Sequence, residues 1–324
     1  MRRLGCIVGL VIALCAALAL WMGAGAAFGS ATIEEETPFV IPAGSSLSAV
    51  AGKLEEEGLI ASADGFLLRA KLIGSADPIQ AGEFLLTPDM DQGAILQAFQ
   101  SGDVIRRFVT IPEGMPSILV HERLMAQDLL TGEIPVPAEG TILPDTYSFE
   151  RGQSRAALVD QMQGAMDRYL AEAWAERGPD IAVETIRDAL ILASVVEKET
   201  GRADERRMVA GLYSNRVKTG MLLQADPTII YPITKGKPLG RRIRQSEIAA
   251  VNGYNTYTRI GLPVGPITNP GRESIAAVLN PAKTSALFMV ADGTGGHAFA
   301  ETLEEHNANV AKWYQLRRER GEME

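Results

Sequence analysis

The sequence predicts an α+β fold: an N-terminal transmembrane helix, a small βααβ domain, then a larger mixed α+β domain. Three observations lead there. Residues 4–28 carry no charged side chain. The stretch beyond them, about 290 residues, exceeds one small module and suits two domains. Helical periodicities and short strand-like runs follow one another without the regular βαβ order of a parallel sheet.

The apolar span comes first. At about 1.5 Å per residue, a helix over residues 4–28 exceeds a ~30 Å hydrocarbon core. Arg2 and Arg3 precede it, and Glu34, Glu35 and Glu36 follow it. The positive-inside rule then puts the short N-terminus in the cytoplasm and the rest of the chain outside. A cleaved signal peptide competes, helped by the small residues Gly23 to Ala27, but its apolar core would exceed the usual ~7–15 residues. An uncleaved anchor over residues 1–30 is the expectation. Cys6 and Cys15 both fall inside the span, so the exported part has no thiol for a disulfide or a cysteine metal site. His121, His297 and His306 are the only histidines, and no two have metal-ligand spacing. No metal or cofactor is expected. A net charge of −9 without a Lys/Arg cluster argues against nucleic acid as a partner, and an acidic exported domain is not drawn to an anionic membrane surface.

Residues 31–108 form the first exported domain. Val40-Ile-Pro-Ala-Gly44 reads as strand and turn, followed by an amphipathic helix to Leu54. A second helix (63–72) and a strand (82–86) complete the order βααβ, that of a small sugar-binding module of the LysM type, and a third helix spans 91–101. An ordinary α+β spacer is the other reading. Thr110-Ile-Pro-Glu-Gly114 echoes the first motif 70 residues later and leads into a run to Leu124, opening the second domain, residues 109–324. Helices are expected over 155–177, 183–200 and 204–218, the last with apolar Met208, Val209, Leu212, Tyr213 and Val217 and with Gly220 as its C′ residue. A helix over 273–279 stops at Asn280-Pro281. The apolar run 286–291 reads as a strand that Gly293–Gly296 turns back into residues 297–300. Thr302-Leu-Glu-Glu305 is a capping box for the last helix, whose C-terminal end carries Arg317, Arg318 and Arg320.

The chemistry-bearing helix ends LASVVEKETG, residues 192–201. At 100° per residue, Glu199 continues the stripe of Leu192, Val195 and Val196, whereas Glu197 looks back onto Ala193 and Ser194. A carboxyl on a buried helix face loses hydration and holds its proton, as a general acid working near neutrality requires. The competing reading is that both glutamates meet solvent at a helix end. Downstream, Gln224-Ala-Asp-Pro-Thr-Ile-Ile-Tyr231 places polar groups beside a β-rich run, and Tyr254-Asn-Thr-Tyr-Thr258 leads into a rigid Gly/Pro segment. Rings and amides beside a candidate acid suit an oligosaccharide. Gln224, Asp226, Tyr254, Asn255 and Tyr257 are therefore candidate substrate-binding residues. Asp226 before Pro227 also reads as a turn former, and the tyrosines as core filling with local partners.

The ordered series LASVVEKETG, VAGLYSNRVKTGMLLQADPTIIY, YNTYTRIGLPVGPITNPG and NPAKT…FMVADGTGGHAF…HN resembles the endolytic murein transglycosylases, the YceG-like family. The resemblance runs from Pro112 to the C-terminus, and the anchor and LysM-like portion agree in position. It implies a single-pass inner-membrane protein with a periplasmic catalytic domain that cuts nascent peptidoglycan glycan strands. It further implies peptidoglycan synthases or division and elongation proteins as possible neighbours. The family's catalytic glutamate falls on Glu199. Gly201 follows the threonine where the family usually has another small or apolar residue, and Leu212-Tyr-Ser-Asn215-Arg216 keeps the family's Asn-Arg pair.

One acid suffices for a lytic transglycosylase. Ordinary glycoside hydrolases need two carboxyls, about 5–5.5 Å or 6.5–9.5 Å apart, and Glu197 and Glu199 project about 200° apart on a helix. The expected reaction cleaves the MurNAc–GlcNAc bond and leaves a 1,6-anhydroMurNAc end. A muramidase-type hydrolase using Asp226, or a non-catalytic wall-binding scaffold, remains a rival.

Overall fold

The computed structural model describes residues 31–73 and 77–322. The expected anchor over residues 4–28 lies outside them. Among the described residues no helix is long and apolar enough to cross a membrane. The chain divides into two compact units, one of residues 31–107 with 150–152, the other of residues 108–149 with the chain from Gln153 onward.

The first unit follows the βααβ order: β1 (Thr37–Ile41), α1 (Leu47–Glu56), α2 (Ala63–Ile73) and β2 (Gly82–Leu86), then α3 (Gln92–Ser101). Gly44 adopts φ 80° in the turn after β1, a conformation that costs glycine nothing. Ser46 then caps α1 by accepting from the Ala49 amide. β1 and β2 pair antiparallel with Phe39 opposite Phe84. Both rings meet Phe99 of α3, at centroid distances of 5.6 and 4.9 Å, so the two strands and α3 share one aromatic core. Residues 150–152 belong here because Arg151, with Arg107, pairs with the buried Glu83, at 3.2 and 2.5 Å.

The second unit begins at Phe108, within β3 (Arg107–Thr110), which pairs with β4 (Thr146–Phe149); α4 (Ser117–Met125) and α5 (Arg155–Ala175) cover an apolar cluster that includes Ile111, Val120, Leu124, Leu158 and Met162. Buried Arg155 fastens the loop after α4 by donating to the carbonyls of Leu124, Gly132 and Gln127. The larger core is helical. It joins α6 (Ile186–Glu199), α7 (Arg206–Thr219) and α10 (Arg272–Leu279) through Leu192, Val195, Val209, Leu212, Ile275 and Val278, all at most 1% exposed. α6 starts at Ile186, later than its apolar pattern suggests, because Thr185 turns extended and caps it through the Asp188 amide. Gly220 closes α7 at φ 69°.

One expectation fails here. The β-rich run after Asp226 is a helix, α8 (Pro227–Thr234). Pro227 presets a helical φ at N1, the Thr228 hydroxyl bonds the Ala225 carbonyl, and burial of Ile229 and Tyr231 outweighs the local β preference. A short α9 (Gln245–Ile248) precedes the tyrosine loop. The hairpin of β5 (Phe288–Ala291) and β6 (His297–Ala300) pairs antiparallel with Ala291 opposite His297. α11 (Leu303–Glu319) opens with both halves of the Thr302–Glu305 capping box formed. β5 begins two residues later than the apolar run, because the carbonyls of Ala286 and Leu287 accept from Asn215 and Arg216 of α7.

Candidate active site

Glu199 is the last residue of α6, in line with the buried Leu192, Val195 and Val196. Its Oε1 is sealed from solvent and has no hydrogen-bond partner among the described residues. Burial pushes this carboxyl up to about 7; the Tyr213 hydroxyl as a donor and the Arg216 charge pull it down, and the Asp226 charge raises it. A carboxyl raised this far can both give and take a proton near neutrality, the condition for a group that serves as acid and then as base.

Two of these neighbours come from α7. Tyr213 is 2% exposed, and burial, then the adjoining Glu199 charge, holds its phenol far above its ordinary value, so it remains a hydrogen-bond donor. Arg216 is clamped by donating from Nε to the Leu287 carbonyl at 2.7 Å and from Nη1 to the Leu223 carbonyl at 2.6 Å. Asn215 beside it donates to the carbonyls of Thr284 and Ala286. The Asn-Arg pair thus ties the segment before β5 to α7 and fixes a cation near the acid.

The third side is the chain around α8. Gln224 is exposed and left-handed at φ 51°, an uncommon conformation for a residue with a side chain and one that clusters at functional sites. The Gln224 amide donates to the Thr256 carbonyl at 3.1 Å, the Ala225 amide to the Thr256 hydroxyl at 3.1 Å, and the hydroxyls of Thr228 and Thr256 meet at 2.8 Å. Both threonines are fully buried, so this network over-determines the strained residue. Asp226 is exposed and accepts from the Tyr257 hydroxyl at 2.6 Å.

Glu199, Asp226 and Tyr257 are thus brought together. Tyr254 lies further along, its ring 4.8 Å from that of Tyr231 on α8, and the Tyr231 hydroxyl engages Glu139. Asn255 takes another part. It is fully buried, and its Nδ2 donates to the carbonyls of Ala250 at 2.7 Å and Ile248 at 2.9 Å. Its Oδ1 accepts from the Tyr257 amide. With both ends of the amide engaged, Asn255 shapes the tyrosine loop.

Glu197 faces elsewhere, as its helical position requires. Its Oε2 accepts from the Gly271 amide at 3.0 Å and from the buried Ser274 hydroxyl at 2.6 Å, so it caps α10 from a neighbouring helix. Tyr213 is the residue that sequence reasoning missed, since its apolar periodicity reads as core. The available signal was its hydroxyl, because a phenol on a buried helix face needs a partner. His297 pins the hairpin to the start of α7, its Nδ1 2.9 Å from Glu205 Oε2.

This architecture has relatives. The sequence pattern of the YceG-like family matches residues 39–312. The endolytic murein transglycosylase of Bacillus subtilis (strain 168) is 29% identical over 317 residues, which cover 86% of this chain and 85% of that protein. The endolytic murein transglycosylase of Streptococcus pneumoniae serotype 2 (strain D39 / NCTC 7466) is 29% identical over 322 residues, 84% of this chain but only 57% of its own length. The crystal structure of a YceG-like protein from Listeria monocytogenes superposes with a TM-score of 0.52 at 27% identity, covering 85% of this chain and 99% of that one. The chain belongs to the YceG-like family.

Proposed function

We propose that this protein is an endolytic lytic transglycosylase of peptidoglycan, with Glu199 acting first as acid and then as base. The observation that carries the reading is the Glu199 carboxyl, pushed up to about 7 at the end of an apolar helix and bounded by Tyr213, Arg216 and Asp226. The names of the Bacillus and Streptococcus relatives support the substrate class.

Protonated Glu199 gives its proton to the oxygen joining N-acetylmuramic acid to N-acetylglucosamine, and the bond from that oxygen to C1 breaks. The carboxylate left behind is stabilised by the Tyr213 hydroxyl and the Arg216 charge, while the Asp226 carboxylate favours the developing oxocarbenium character of the ring. Glu199 then takes the proton of the muramic C6 hydroxyl, and O6 closes onto C1 to give the 1,6-anhydro end. No water is consumed, and the nucleophile is already tethered to its electrophile. Gln224, Asp226, Tyr254 and Tyr257 hold the sugars. The βααβ unit serves as a LysM-like contact for the glycan, and residues 1–30 tether the protein at the inner membrane with its catalytic part in the periplasm.

Mass spectrometry of muropeptides released from peptidoglycan tests this, wild type beside Glu199→Gln. New 1,6-anhydromuramic ends from the wild type alone are expected. Reducing ends would mean a muramidase with Asp226 as second carboxylate, and no products from nascent, uncrosslinked strands would mean a binding scaffold.

A further inference from the structure

The face of α7 turned away from Tyr213 and Arg216 lines a cleft of about 670 Å³. Arg207, Gly211, Ser214, Asn215 and Lys218 follow one another along it at helical spacing, and residues 178–181 and 280–284 complete the walls. Gly211 allows the walls to stand this close. A Cβ there would lie 2.6 Å from the Ala282 carbonyl oxygen.

The charge of this cleft is one-sided. Arg207, Lys218 and Lys283 line it against one carboxylate, Asp180, which pairs with Lys218 at 2.6 Å. A net-positive cleft stands out on a chain whose formal charge is −9. The Arg207 guanidinium is fixed at the wall by donating from Nε to the Asn280 carbonyl at 2.9 Å. Ser214 is 2% exposed, and its buried Oγ has no hydrogen-bond partner among the described residues, an arrangement that calls for an explanation. Among the described residues no aromatic ring lines the cleft, so it lacks the stacking surface a sugar subsite uses. Pro179, Ile181 and Pro281 add apolar lining. The volume falls within the ~300–1,000 Å³ of ordinary ligand sites.

We propose that this cleft is a second binding site, which takes an acidic peptide through its free carboxylates. α7 then serves two sites, one on each face. Resting on the transglycosylase reading, the peptide is the stem peptide of the glycan strand. The carboxylate at its end is present before the peptide donates to a cross-link and is consumed by cross-linking, so the cleft favours uncrosslinked strands.

The test is isothermal titration of the full chain carrying Glu199→Gln. The probes are a soluble stem pentapeptide with free carboxylates, the same peptide fully amidated, and inorganic diphosphate. The free acid should bind, with the amide at least tenfold weaker. Adding Lys218→Gln and Lys283→Gln, both at exposed positions, should weaken the free acid at least tenfold with an unchanged circular-dichroism spectrum. Equal binding of acid and amide, or an unaltered affinity in the lysine variant, overturns the proposal. Tighter binding of diphosphate than of peptide also overturns it, in favour of a lipid-linked diphosphate. Wild-type turnover of peptidoglycan is measured alongside. Turnover without peptide binding removes this site alone, whereas peptide binding without turnover removes the transglycosylase reading and leaves the site standing.

Discussion

Glu199→Gln should abolish turnover and at the same time make the protein more stable above neutrality. Burial raises the carboxyl from 4.5 to about 7. Between those values the folded state holds a proton that the unfolded state has released, so stability falls as pH rises. The penalty is nearly absent below the unfolded value and complete above the folded one. A shift of this size corresponds to about 3 kcal/mol at about 1.36 kcal/mol per pH unit. Glutamine keeps an oxygen that can accept from Tyr213, and it never ionises. At roughly 2–4 °C per kcal/mol for a domain of ~150–250 residues, the variant should melt up to about 6–12 °C higher at pH 8. That is a ceiling, because the new amide must also find partners at a site where Oε1 has none. Differential scanning calorimetry at pH 8 and pH 4.5 reads the effect directly, and the gap should nearly close at the lower pH. A difference between wild type and variant that is the same at both pH values would refute the claim that burial of this carboxyl sets its proton affinity.

Asp226→Asn removes a like charge from beside Glu199 while keeping an acceptor for the Tyr257 hydroxyl. The alkaline limb of the pH–rate profile should therefore move to lower pH, and an unmoved limb would mean the two carboxyls do not interact. Glu197→Gln should be nearly neutral, because one amide oxygen can still accept from Gly271 and Ser274. Glu197→Ala should cost about 1–3 kcal/mol in urea unfolding, from the donors left unpaired. Gly211→Ala should cost about 1–3 kcal/mol by overpacking against the Ala282 carbonyl, and a variant as stable as wild type in the same assay would mean that this wall yields easily.

Much of the fold was legible because its signals are local. The Thr302–Glu305 capping box, the Gly220 stop and the glycine turn between β5 and β6 each act over a few residues, and each is formed. The projections of Glu197 and Glu199 were equally legible, since helical geometry alone puts them on different faces. α8 was misread because Ile229 and its neighbours carry a β preference that only packing overrides. The partners of the Asn255 amide, the carbonyls of Ile248 and Ala250, were not legible, because the loop must fold back on the end of α9 to bring them together.

The sequence by itself determined the helix that carries Glu199 and the face on which it lies, because both follow from the 100° step of a helix. It could not determine how strongly that carboxyl holds its proton. That depends on groups distant along the chain, Tyr213, Arg216 and Asp226, which meet it only when α6, α7 and α8 pack together. Helical periodicity is a property of neighbours in the chain; desolvation and charge are properties of neighbours in space.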